Sequence, residues 1–139
     1  MLLQLGVATD AMGDPALARS YLDEAVELTQ RAGQGPSLGF ALLVAGTHAR
    51  ERGDLDLASE QLTRARELLA GTGLPYGSAR AALELGRTLL ERGEPAGAGD
   101  LAADAARLAR DVGDPELLGD AESLVAAVQR DGTADDGRP

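Results

Sequence analysis

The stretch GTHARERGDLDLASEQLTRA, residues 46–65, decides the fold. Upstream of and within it, Leu42, Ala45, Gly46 and Ala49 recur at three- and four-residue steps, the period of one face of an α-helix. Gly53 stops that helix, because glycine takes the left-handed C′ conformation at little cost. Asp54 is a favoured N-cap for a second helix. Ala58, Leu62, Ala65, Leu68 and Leu69 then form another apolar stripe. The stretch is a helical hairpin with a tight turn.

The same hairpin recurs along the chain. A shift of forty residues aligns Leu3, Leu43 and Leu83; Gly6, Gly46 and Gly86; and Gly13, Gly53 and Gly93. It also aligns Ala18, Ala58 and Ala98; Ala25, Ala65 and Ala105; Leu28, Leu68 and Leu108; and Gly33, Gly73 and Gly113. Such a constant register marks a repeat architecture, in which each unit is one supersecondary element buried by its neighbours. The hairpin turn reads Gly, acid and usually Pro, as in Gly13-Asp14-Pro15 and Gly93-Glu94-Pro95. Proline suits the first helical position, where its missing N–H is harmless. Glu94 is a poorer cap than Asp14 or Asp54.

The expectation is an all-α chain of seven helices over residues 1–130. Its units run over about 1–37, 38–77 and 78–115, with linkers Gln34 to Ser37, Thr72 to Gly77 and Asp114-Pro115. A terminal helix over about 116–130 covers the last apolar face, and a Gly- and Asp-rich tail over 131–139 is expected to be disordered. The first helix starts at or near Met1, and Leu2, Leu3, Leu5 and Val7 look for a neighbour. Either the chain is a fragment of a longer array, the preferred reading, or this end pairs with a second copy. Gly97 and Gly99 fall early in the sixth helix, where each costs about 1 kcal/mol relative to Ala. The third unit is therefore expected either to lean on its neighbours, the preferred reading, or to offer a small-residue face for close packing with a partner chain.

Composition narrows the function. Apolar residues make up 44% of the chain but aromatics only 2%, so the core is Ala and Leu at close helix contacts. A net charge of −10 repels phosphate backbones and argues against nucleic-acid binding. The absence of Cys excludes disulfides, thiolate catalysis and Cys-ligated zinc. Lys, Asn and Ile are also absent while Arg, Ala and Gly abound, a bias that implies a GC-rich, bacterial coding sequence. Residues 38–49, the most apolar run, are too few to span a bilayer, and no leader is visible. The cytoplasm is the expected location. His48 is the single His; with no Cys beside it, neither a metal site nor a catalytic constellation can be assembled. No cofactor and no enzymatic activity are expected.

The spacing Gly, seven residues to Gly, five to Ala, seven to Ala stands as Gly6-Gly13-Ala18-Ala25, Gly46-Gly53-Ala58-Ala65 and Gly86-Gly93-Ala98-Ala105. It resembles the tetratricopeptide signature over about residues 1–130. HEAT repeats share a period near forty but do not predict the Gly/Ala crossing pattern. The departures are a period of forty where thirty-four is typical, and Leu42, Ala82, Leu62 and Ala102 at the family's bulky positions. Both features look like the variant in bacterial regulators of the MalT and LuxR type and in actinobacterial antibiotic regulators.

The resemblance implies a right-handed superhelical array of antiparallel hairpins whose first helices line a groove for a protein or peptide. Carried over residue by residue, the groove positions are Phe40, Leu43, Thr47, Arg50 and Glu51, then Arg80, Leu83, Arg87, Leu90 and Glu91, then Ser123, Ala127 and Arg130. Arg50, Arg80, Arg87 and Arg130 are suited to fork-like contacts with a carboxylate. The alternative for them is solvated surface charge, and for Phe40 it is packing against Ala18 or Leu22. The expected role is protein or peptide binding, as an adaptor or sensor segment of a bacterial regulator. Self-association through the N-terminal helix is the alternative. Binding of nucleic acid or membrane is not expected.

Overall fold

The computed structural model describes residues 13–33 and 35–136, with side chains as far as 132. Six helices make up the described chain: α1 (Pro15–Arg31), α2 (Gly35–Glu51), α3 (Leu55–Ala70), α4 (Pro75–Glu91), α5 (Pro95–Val112) and α6 (Pro115–Asp136). The helix expected first, near Met1, lies outside the described residues, and with it the self-pairing end; six helices therefore stand where the sequence predicts seven. No strand occurs among the described residues. The chain divides into two compact units, Met1–Thr72 and Gly73–Pro139.

Each helix boundary follows from local chemistry. Gly13, Gly33, Gly53, Gly73, Gly93 and Gly113 all have positive φ, between 69° and 89°. At Gly53 this lets the chain reverse within three residues. The Gly53 N–H donates to the Arg50 carbonyl and the Asp54 N–H to the Ala49 carbonyl, both at 2.9 Å. Two otherwise unsatisfied helix-end carbonyls are thereby paired. Glu94 N–H to Leu89 O repeats the device at 2.9 Å. On the entry side, Asp14 accepts from Leu17 N–H at 3.1 Å, Asp54 from Leu57 N–H at 3.4 Å and Asp114 from Leu117 N–H at 3.1 Å. Glu94 makes no such cap bond; its carboxylate meets Arg92 Nε at 3.2 Å instead. One extra methylene carries the oxygen past the N–H groups that an Asp reaches.

Three boundaries differ from expectation. The linkers are shorter than Gln34 to Ser37 and Thr72 to Gly77, because α2 begins at Gly35 and α4 at Pro75. Pro36 and Pro75 open their helices, as a preset φ near −65° allows, and are not spacers. At the other end α6 runs to Asp136, six residues into the stretch expected as a disordered tail. Gly132 weakens a helix by only about 1 kcal/mol and no proline intervenes before Pro139, so the backbone continues. Residues 137–139 lie outside the described residues.

Within the first unit α2 packs on both α1 and α3. Leu42, Ala45 and Ala49 of α2 and Ala58, Leu62, Ala65 and Leu69 of α3 are buried, the stripes the periodicity predicts. The close approach is at Gly46: a Cβ there would stand 2.6 Å from Leu62 Cγ and 3.3 Å from the Leu62 backbone nitrogen. Gly39 repeats this against Leu69 Cγ at 2.9 Å. The nearest partner of Gly46 is thus Leu62, one turn beyond the Ala58 that the sequence pairs with it.

Within the second unit α5 lies between α4 and α6. Ala98, Leu101, Ala102, Ala105, Ala106 and Ala109 are all buried, a stripe wide enough to face two helices at once. This is why α5 is built of small residues. A Cβ on Gly97 would meet Leu89 Cδ1 of α4 at 3.1 Å, and one on Gly99 would meet Val128 Cγ1 of α6 at 3.3 Å. A Cβ on Gly86 would stand 2.8 Å from Leu124 Cδ2 and 3.6 Å from the Ala98 carbonyl oxygen.

An open strip on the first helix of each hairpin

The first helices of the two complete hairpins, α2 and α4, are covered around most of their circumference. In α4 the six residues from Ala81 to Gly86 are consecutively buried, a run longer than one full turn. In α2, Leu38, Gly39, Ala41, Leu42, Leu43, Ala45, Gly46, His48 and Ala49 are buried. One narrow strip stays partly open on each. On α2 it runs through Phe40, Val44 and Thr47, with Arg50 beside it, all half-buried. On α4 the forty-residue equivalents are the partly open Arg80 and Arg87, with Leu90 beside them, and between the two arginines the buried Glu84. The spacing of four and then three keeps each set on one helical face.

Two of the expected groove residues are buried. Leu43 is 8% exposed and Leu83 0%, so both side chains are buried in the chain itself. A four-then-three spacing fits a helix face as well as three-then-four, and sequence alone does not choose between Leu83 and Glu84 at the middle position. On α2 the half-buried Val44 takes the middle position; on α4 Leu83 and Glu84 are equally buried, and the ion pairs to Arg80 and Arg87 single out Glu84. Phe40, Thr47, Arg50, Arg80 and Arg87 stay on partly open positions, and Leu90 is half-buried. Glu51 and Glu91 are exposed at the ends of their helices. On α6, Ser123 and Arg130 are exposed and Ala127 half-buried, beside the buried row Leu117, Ala121 and Leu124. His48 is buried, as is Thr88 at the equivalent position, whose hydroxyl donates to the Glu84 carbonyl at 2.8 Å.

The strip on α4 holds a buried carboxylate between two arginines. Glu84 is 1% exposed, yet it is a carboxylate. Arg80 Nη2 donates to Glu84 Oε1 at 3.2 Å, and Arg87 Nη1 donates to the same oxygen at 2.9 Å. The side chains of Arg80 and Arg87 remain 29% and 31% exposed. Removing a carboxylate from water costs several kcal/mol, which charge-assisted hydrogen bonds of roughly 1.5–3 kcal/mol each offset. Two guanidinium groups facing one carboxylate leave one positive charge over, on a chain whose net charge is −10. The α2 strip, by contrast, carries no charge at the same three positions. Glu84 is the residue that sequence reasoning misses. Its signal is an acidic residue four after one Arg and three before another, inside an otherwise apolar run.

Among the described residues, no group of three or more His, Asp or Glu is placed to hold a metal ion. No helix among the described residues is long and apolar enough to cross a membrane.

An all-helical chain of repeated hairpins, with glycines at the helix crossings and a strip left open on the first helix of each pair, is a helical-repeat protein. Residues 1–70 match the family described as Tetratricopeptide repeat. The chain belongs to that family, whose repeats serve as protein-interaction modules. The match spans the first unit, and the second carries the same Gly/Ala spacing at Gly86, Gly93, Ala98 and Ala105. No curated protein matches the chain.

Proposed function

We propose that the chain is a peptide-binding module without catalytic activity, and that the α4 strip receives a carboxylate-bearing segment of a partner protein. The observation that carries this reading is the pair of partly open arginines, Arg80 and Arg87, with one carboxylate between them. Guanidinium groups bind carboxylates through paired N–H donors, and each arginine has donors beyond the one given to Glu84. Burial of the surrounding residues strengthens such contacts by excluding water. The half-buried Phe40 on α2 is an apolar contact for a partner. The larger setting in this reading is an adaptor or sensor segment of a bacterial regulator, supported by the GC-rich residue bias and the forty-residue period.

The test is fluorescence anisotropy with a labelled tetraglutamate peptide and its tetraglutamine counterpart. Replacing Arg80 and Arg87 by Ala is a poor probe, because it strands the Glu84 carboxylate in the interior. Arg80→Lys with Arg87→Lys keeps the charge and removes the planar fork. The expected result is binding of tetraglutamate by the native chain, no binding of tetraglutamine, and clear weakening in the double Lys variant. Equal binding of the two peptides refutes the proposal.

A further inference from the structure

Glu84 sits at the centre of the α4 strip, where an acidic residue is the least expected neighbour for a carboxylate-binding face. By simple charge counting it opposes an acidic partner. Its geometry says otherwise. The carboxylate is 1% exposed, and one oxygen, Oε1, accepts from both arginines, whose two positive charges outweigh its own. An arginine side chain has several rotatable bonds, and fixing it on binding costs affinity. Holding Arg80 and Arg87 from a common buried point fixes both before a ligand arrives. Their spacing on the helix, four before and three after, places one on each side of Glu84.

Resting on the carboxylate-binding reading, we infer that Glu84 is a positioning residue, which sets Arg80 and Arg87 as a preformed pair of donors for a single carboxylate of an acidic peptide. Two guanidinium groups and one internal carboxylate leave one positive charge, and one carboxylate from the partner brings the cluster to neutrality. The uncharged α2 strip has Val44 where α4 has Glu84 and Phe40 and Thr47 where α4 has the arginines, so it lacks this device.

Glu84→Gln separates positioning from simple charge. It raises the local charge by one, so electrostatics alone predicts tighter binding of tetraglutamate. Positioning predicts the reverse: affinity falls roughly tenfold as two arginine side chains must be ordered on binding. Glu84→Asp restores the charge one methylene back and recovers part of that loss. Thermal unfolding by circular dichroism checks that each variant is folded. Should Glu84→Gln prove unfolded, arginine side-chain NMR of the native chain decides. Positioning predicts separate, slowly exchanging Nη–H signals for Arg80 and Arg87, and averaged signals for the exposed Arg130. Averaged signals for all three overturn it. If the native chain fails to prefer tetraglutamate, the binding reading itself falls and the inference with it. If the preference holds and the double Lys variant weakens it, but Glu84→Gln binds equally or more tightly, only the positioning role is refuted.

Discussion

Replacing Gly46 by Ala tests the helix crossing that the repeat depends on. Alanine is the better helix former by about 1 kcal/mol, so propensity alone predicts stabilisation. Against that, the new Cβ would stand 2.6 Å from Leu62 Cγ, 2.9 Å from Leu62 Cδ2 and 3.3 Å from the Leu62 backbone nitrogen. Real carbon–carbon contacts sit near 3.5–4.0 Å, so Leu62 must move by about 1 Å. Leu62 is fully buried, and the nearby backbone of α3 limits its retreat. Overpacking of this kind costs about 1–3 kcal/mol. The net expectation is a loss of about 0–2 kcal/mol. Gly119→Ala is the matched control: Gly119 lies inside α6, and a Cβ there meets nothing within 4 Å. It should gain about 1 kcal/mol from propensity. Urea unfolding followed by circular dichroism at 222 nm compares the two. Opposite signs, separated by about 1–3 kcal/mol, support the crossing. Equal stabilisation by both substitutions refutes it.

Glu94→Asp should stabilise α5 by about 0.5–1 kcal/mol, because Asp reaches the N–H groups that Glu94 does not, and the exposed Arg92–Glu94 pair that it gives up is worth little. A raised thermal midpoint, with unchanged helicity, is the readout. Gly53→Ala should destabilise the first hairpin by about 1–2 kcal/mol although its Cβ meets nothing within 4 Å, since the backbone φ of 84° is left-handed. A neutral result in urea unfolding would show that the turn relaxes freely. Arg80→Ala with Arg87→Ala should cost about 3–5 kcal/mol by leaving the Glu84 carboxylate buried without its two guanidinium partners, and further replacement of Glu84 by Leu should recover most of it, measured as a shift in unfolding midpoint.

Much of the fold is legible in the sequence because its determinants are local. Gly53 with Asp54 specifies a turn through backbone conformation and one cap bond, with no help from distant residues. The stripe Ala58, Leu62, Ala65 and Leu69 needs only the helical period, and all four are buried. Pro36 and Pro75 mislead because proline breaks helices in their interior yet opens them at their start, and which applies depends on where the helix begins. Gly46 is recognisable as a crossing residue, but its partner, Leu62, depends on the rotation of α3 against α2, which spacing does not fix. The candidate site is legible to one residue. Arg80 and Arg87 share a face by spacing alone, while the same spacing admits Leu83 to the middle of the strip. What places Glu84 there is the satisfaction of its buried carboxylate by two arginines, which is a three-dimensional fact.

The most direct measurement of the central claim is a titration of the isotope-labelled native chain with the tetraglutamate peptide, followed by backbone amide NMR shifts. The account predicts changes concentrated on α4 between Arg80 and Glu91, with none of comparable size when tetraglutamine is added. Changes spread evenly over the surface, or identical for the two peptides, would contradict it.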